Sequence, residues 1–501
     1  MKKLVILLVL LTVTLTVPTA CSGNNLAESN ETNHVVSNTY DYQQNNQINE
    51  QPPQSDILAG QTSSPICFDT VSYLFEQLDA ILDADGGSLW GIDLQGPIVF
   101  ADATSRYAVA NMPDVDGEIF TRQGNLYVGM IPEDIRIATW NVYLGGRFWA
   151  MVSWEQISTN ADETEQNIGI MLHKLFHTHQ HSLFEGLAYW AFNDHLDELD
   201  ARISARLELN ALLYAMRTTG EERSTTILDA LSIRAERHRN NTDDVRGEVG
   251  HEIAEGTAVY TEVTLLFDNL EDRLRHIEGY IHEEPDIRLF TYYTGAFYAL
   301  LLDEFDVDWR TGLDWGDDLA AMLKVALGFE RVIPFNEIDL ERYGYSLIRP
   351  VEETWATEQG VLVQMAEEAF SGPLLIIDAL GELNDWEADI KLLNMDTFAP
   401  NNYDEFDYGQ EEIYWSAYNP QGHRLIQPVF YGDFIYTGAF GQLEAKGGLI
   451  LIWHLRLRHS IPAYDIEVDG NIITGPNWVL TLNDGFGLRE VGGGHFAIGQ
   501  Q

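Results

Sequence analysis

Two histidines four residues apart, His173 and His177 in MLHKLFHTHQ, are the residues of this chain most able to do chemistry together. On an α-helix that spacing stacks two imidazoles one turn apart on one face, as two nitrogens are presented to a tetrahedral zinc ion. Hydrolytic sites of this kind place a glutamate directly after the first histidine, where it takes a proton from the metal-bound water. Here that position holds Lys174. An ammonium is no base, and at about 5 Å from a divalent ion it would cost several kcal/mol at an effective dielectric of about 20. The third ligand must come from elsewhere, and a glutamate on a following helix is the natural source. HEIAEGTAVYTE supplies Glu255, 78 residues after His177, and His251 four before it on the same face, as a partner behind the ligands or a replacement ligand.

The elements that must position these side chains divide the chain into five stretches. Residues 1–20 (MKKLVILLVLLTVTLTVPTA) have the basic start, apolar run and small-residue end of an export signal, with Cys21 directly after it. Residues 21–66, rich in Asn, Gln, Ser and Pro, predict a disordered tether. Residues 67–158 predict an N-terminal α/β subdomain: a helix over FDTVSYLFEQLDAILDA, then strands in SLWGID, GPIVFAD, YAVAN, GNLYVGMI and RFWAMVSW. Residues 159–334 carry helical periodicity, and 335–501 predict a β-rich C-terminal domain of short strands with Gly and Asn turns. The fold class is α+β.

Composition narrows the function classes. A net charge of −49 excludes nucleic acid as a partner and argues against direct attraction to anionic lipid. Lysine occurs only at positions 2, 3, 174, 324, 391 and 446, so Lys174 is conspicuous. Cys21 after Ala20 resembles the bacterial lipobox, whose cysteine is lipid-modified and becomes the mature N-terminus, so the chain is expected outside the cytoplasm, anchored to a bacterial membrane at Cys21. Only Cys67 would then remain, so no intrachain disulfide is expected and a cysteine-rich zinc site is excluded.

Beyond the spacing, the chain resembles bacterial zinc metallopeptidases of the gluzincin type, which carry HExFHxxQ on one helix and an EGxAxY glutamate on a later one. The match runs through His173, Phe176, His177 and Gln180, then Glu255, Gly256, Ala258 and Tyr260, and extends over about residues 67 to 500 through LWGIDLQGPIVFAD, GGRFWAMV, HLDELDARISARLEL, YYTGAFYALLLD and GQLEAKGGLIL. The resemblance implies a gluzincin-like helical core with zinc on His173, His177 and Glu255, and a peptide-like substrate along an edge strand such as RFWAMVSW. It also implies oxyanion stabilisation by Tyr292 or Tyr293. Lys174 is the departure.

Simpler readings stand beside these roles. Tyr292 and Tyr293 fit core aromatics, Glu185 and Glu262 solvated or helix-pairing carboxylates, and His179 and His181 exposed residues. The cluster of Asp194, His195, Asp197, Arg202 and Arg206 fits a structural ion-pair network. Lys174 itself admits four accounts: a pseudoenzyme that binds a peptide or protein partner; an ammonium paired with Glu255 in place of the metal; a neutral amine acting as base beside zinc; or a sequence error or recent change, since Glu and Lys codons differ by one base. The expected function is a surface lipoprotein related to zinc metallopeptidases with hydrolysis in doubt, the alternative being a structural or solute-binding lipoprotein whose histidine helix is only core.

Overall fold

The computed structural model describes residues 66–500 apart from 134, 159, 161–162, 187, 189–192, 243, 284–286, 371, 379–388, 395–411, 419–423, 439–440, 455–457, 476–477 and 493. The signal, the tether and Cys21 lie outside the described residues. Cys67 is disulfide-bonded, contrary to expectation; that expectation rested on lipid consuming Cys21, the chain's other cysteine.

The fold is mixed α+β, with a helical core between two sheets. Helix α1 (Phe68–Asp85) buries Val71, Leu74, Phe75, Leu78 and Leu82 and ends at Gly86, whose φ of 56° suits a left-handed cap. A six-stranded sheet follows, built of β1 (Ile98–Ala101), β2 (Tyr107–Ala110), β3 (Phe120–Gln123), β4 (Leu126–Met130), β5 (Trp140–Leu144) and β6 (Arg147–Ser153). Their spatial order is β3-β4-β2-β1-β6-β5; only the β1–β6 pair is parallel. SLWGID is not a strand but a turn segment, because its apolar residues plug the core instead of pairing. Trp90 packs on Phe176, Tyr260 and Trp309, and its indole N–H donates to Thr261 Oγ1 at 2.9 Å.

The expected edge strand is also corrected. RFWAMVSW is β6, an interior strand whose Trp149 to Val152 are buried on both faces, and the free edge next to it is β5. A continuous apolar run marks a central strand, since both of its faces are covered.

The helices are α2 (Thr164–Leu183), α3 (Leu199–Arg217), α4 (Gly220–Asn240), α5 (Val245–His251), α6 (Thr257–Leu266), α7 (Leu270–Glu283), α8 (Phe290–Glu304), α9 (Leu319–Ala326) and α10 (Tyr345–Phe370). A π-helical turn, Glu252–Gly256, joins α5 to α6. Apolar residues of α1, the sheet's inner face and the helices form one continuous core. Beyond residue 335 the chain stays helical through α10, and the second sheet begins only at Leu374. Its strands pair antiparallel except where Phe496 aligns parallel to Leu375.

Candidate metal centre

Helix α2 carries both histidines because its apolar stripe of Ile168, Met171, Leu172, Leu175 and Phe176 turns that side into the core. Asn167 ties the preceding loop to the helix, accepting from the Ser158 N–H at 3.0 Å and donating to the Ser158 carbonyl at 2.8 Å. Glu255 arrives on the π-helical turn, a geometry frequent at functional sites. The turn is held from both sides. Gly256 meets Gly295 of α8 backbone to backbone, and Glu252 takes both arms of the Arg234 guanidinium at 2.7 and 2.6 Å and the Thr294 hydroxyl at 2.7 Å.

The three expected ligands converge. His173 Nε2 stands 3.1 Å and His177 Nε2 3.2 Å from the same oxygen, Glu255 Oε2, and all the ligand atoms lie within 4.8 Å of one another. For zinc bonds of about 2.0–2.1 Å, tetrahedral donors stand about 3.3 Å apart, so the two imidazole–carboxylate spacings of 3.1 and 3.2 Å fit a metal. No family model, curated protein or solved structure matches the chain.

The opposite ring nitrogens have dedicated acceptors. His177 Nδ1 faces Gln180 Oε1 at 2.7 Å, and the Gln180 amide donates to the Ala254 carbonyl at 2.6 Å and to Thr257 Oγ1 at 3.2 Å, which locks α2 to the turn. His173 Nδ1 faces Glu262 Oε2 at 3.4 Å. With the protons on both Nδ1 atoms, the Nε2 lone pairs would face one carboxylate oxygen, an arrangement that a cation between them would satisfy; with the proton on Nε2, His173 donates to Glu255 Oε2 instead. In keeping with the first arrangement, His177 Nε2 is buried with no hydrogen-bond partner among the described residues.

The electrostatics act oppositely on the two histidines. Burial opposes a charged His173, but hydrogen bonds to Glu255 and Glu262 outweigh it and raise its pKa. Burial holds His177 below the usual imidazole value. Burial would raise Glu255, yet His177, His173 and Lys174 together hold it well below the carboxylate range. Glu262 is held down at about 2, burial being overcome by its bonds to His173 and His276.

Glu262 is not solvated: it is 1% exposed and pairs its helix with a neighbouring one. Its Oε1 accepts from His276 Nε2 at 2.7 Å and the Tyr280 hydroxyl at 2.8 Å, both on α7. It lies two turns after Glu255 along the same helical stretch, a spacing that could have signalled it in the sequence. Space for it comes from Gly169, one turn before His173 on α2. A Cβ there would stand 2.6 Å from Glu262 Oε1.

Other candidates separate. Tyr292 lies parallel to His173, ring centroids 6.1 Å apart, at the site. Tyr293 is 5% exposed and belongs to the core, so the structure brings only Tyr292 to the histidines. His251 is outside the converging trio; its Nδ1 pairs with Thr291 Oγ1 at 2.7 Å and its ring meets Tyr292 edge-on. His179 is half-buried, not exposed, with Nε2 3.1 Å from the Leu94 carbonyl. Glu185 and His181 are exposed. The residue 194–206 cluster divides: Arg202 and Arg206 both bind Glu352 of α10, whereas His195 joins Glu248 at 3.1 Å.

Lys174 is half-buried beside the trio. Its carbonyl accepts from Asn141 Nδ2 of the edge strand β5 at 2.8 Å. Its ammonium forms no ion pair with a described carboxylate, and the Glu255 oxygen that would receive it faces two imidazoles instead. The account in which lysine replaces the metal is thus not the arrangement present.

Proposed function

We propose that this chain is a surface lipoprotein built on the plan of a gluzincin-type zinc metallopeptidase, which holds zinc on His173, His177 and Glu255 but binds a peptide or protein ligand without hydrolysing it. The observation that carries the reading is the pair of imidazoles turned by Nε2 onto one Glu255 oxygen, each backed at Nδ1 by its own acceptor. Bound zinc would supply Lewis-acid polarisation of a ligand oxygen. The protein's own groups do the rest. Glu262 and Gln180 fix the imidazole tautomers, the edge of β5 offers unpaired backbone groups to an extended ligand, and Tyr292 walls the site beside His173. What is missing is a proton acceptor for water, because Lys174 stands in the base position.

Zinc content and peptidase activity test this reading. Purified protein is expected to retain about one zinc per chain and to lose it with His177→Ala, and to cleave no peptide until Lys174→Glu restores the carboxylate. Absence of tightly held zinc from both the native and the Lys174→Glu proteins would sink the reading. Chelator-sensitive peptidase activity in the native protein would overturn its non-catalytic part. The anchor has a separate test, since a cysteine sulfur forms either a lipid thioether or a disulfide. The disulfide at Cys67 and a lipid thioether on Cys21, the chain's other cysteine, exclude each other, so non-reducing intact mass of the membrane-extracted protein decides between them: lipid on Cys21 supports the anchor, and a disulfide-bonded chain lacking lipid rejects it.

A further inference from the structure

The charge at the site decides what kind of ligand it receives. In a chain of net charge −49, Lys174 is a half-buried cation adjoining three converging donors. Among the described residues its ammonium has no hydrogen-bond or ion-pair partner. The two carboxylates of the site are already engaged: both imidazoles share Glu255 Oε2, while Glu262 receives His173, His276 and Tyr280. The Asn141 bond to its backbone carbonyl sets the lysine against the free edge of β5, where an extended ligand would run.

The balance of charge follows from these assignments. A divalent ion and Lys174 together bring three positive charges, and Glu255 and Glu262 bring two negative ones, the histidines being neutral ligands. One positive charge is left over in a largely buried site. A glutamate at position 174 would instead leave one negative charge, suited to a neutral peptide bond and a water. Lysine therefore reverses the sign of the site, and a site of low polarity with a net positive charge selects an anion.

We infer that the site receives a carboxylate, held jointly by the metal ion and the Lys174 ammonium, so that the protein is a receptor for carboxylate-bearing peptides. This rests on the proposed metal centre. The carboxylate comes either from a peptide C-terminus or from an acidic side chain, and the probes below separate the two.

The experiment uses the zinc-loaded full chain and three tetrapeptides labelled at the N-terminus with an uncharged, carboxylate-free BODIPY dye: tetra-alanine with a free C-terminal carboxylate, its C-terminal amide, and an amidated peptide with one glutamate. Fluorescence anisotropy gives their affinities, and metal analysis gives zinc content in the same samples. The free acid is expected to bind at least about tenfold more tightly than the amide. Lys174→Met is expected to bring the acid down to the level of the amide with zinc unchanged, and Lys174→Arg to keep the preference. Tight binding of the glutamate-bearing amide would assign the site to acidic side chains, and weak binding to C-termini; both support a carboxylate receptor. Equal affinity for all three peptides, or a preference for a carboxylate-bearing peptide left intact in Lys174→Met, overturns the inference while leaving the metal centre standing. Zinc absent from both the native and Lys174→Glu proteins removes the metal centre and the inference with it.

Discussion

Gly256 and Gly295 pass so closely that a Cβ on Gly256 would stand 2.6 Å from the Gly295 Cα, and one on Gly295 would stand 2.8 Å from the Glu252 carbonyl oxygen. The neighbours are backbone, so neither contact can be relieved by a rotating side chain. Helix α8 is thereby laid directly on the π-helical turn that presents Glu255.

Gly295→Ala should accordingly act on the metal centre as well as on stability. Overpacking of this kind costs about 1–3 kcal/mol, and relief requires the turn to move. Zinc affinity, measured by competition with a chelator, is expected to fall by more than tenfold together with a lowered unfolding midpoint. A variant that loses stability but binds zinc as tightly as the native chain would show that α8 does not set the position of Glu255.

Glu262 permits a cleaner separation of affinity from folding. Carboxylates behind ligating histidines typically contribute 10–100-fold to metal affinity. Gly169→Ala places a methyl where the Glu262 oxygen lies, and that oxygen is the end of a flexible side chain, so the helix tolerates the change while the carboxylate is pushed off His173. Weaker zinc binding at unchanged or slightly higher stability is expected, since alanine favours helix over glycine. His276→Phe, which removes one donor to Glu262, should produce a smaller loss in the same direction. Undiminished zinc affinity in both variants would remove Glu262 from the site.

How much of this was legible in the sequence varies with how local the signal is. The spacing of His173 and His177 and the later Glu255 pointed to ligands that do converge, because helical periodicity fixes which side chains share a face. Tyr292 and Tyr293 could not be told apart, since neighbours on a helix point about 100° apart and only the packing of α8 decides which one faces α2. The edge strand was misplaced for a different reason. WNVYL is only five residues long and partly exposed, as an edge strand is, while RFWAMVS is the longer apolar run because it is buried on both faces. The seven-residue spacing from Glu255 puts Glu262 on the same side of its helix, but its contact with His173 also depends on space left by Gly169 on another helix, a tertiary relation that this segment does not encode.

The buried ion network behind the turn should make folding acid-sensitive. Glu248 accepts from Arg237 at 2.6 and 3.1 Å and from His238 at 2.7 Å, and lies 3.0 Å from Arg234 and 3.1 Å from His195. Burial alone would raise its pKa, but Arg237, His238 and Arg234 outweigh it and hold the carboxyl well below its ordinary 4.5. The unfolded chain therefore binds this proton more readily than the folded one. The stabilisation is fully present above about pH 4.5 and is lost as pH falls beneath it. Glu208 and Glu252 share the same arginines, so the contribution of Glu248 is read from the difference between native protein and Glu248→Gln. The variant is expected to be less stable at neutral pH by about 3–5 kcal/mol, because two buried guanidinium groups lose a counter-charge. Its loss of stability between about pH 5 and pH 3 should also be shallower, as measured by denaturant unfolding at a series of pH values. Acid profiles that run parallel would show that Glu248 carries no proton-linked stability, and the neutral-pH deficit would then reflect packing alone.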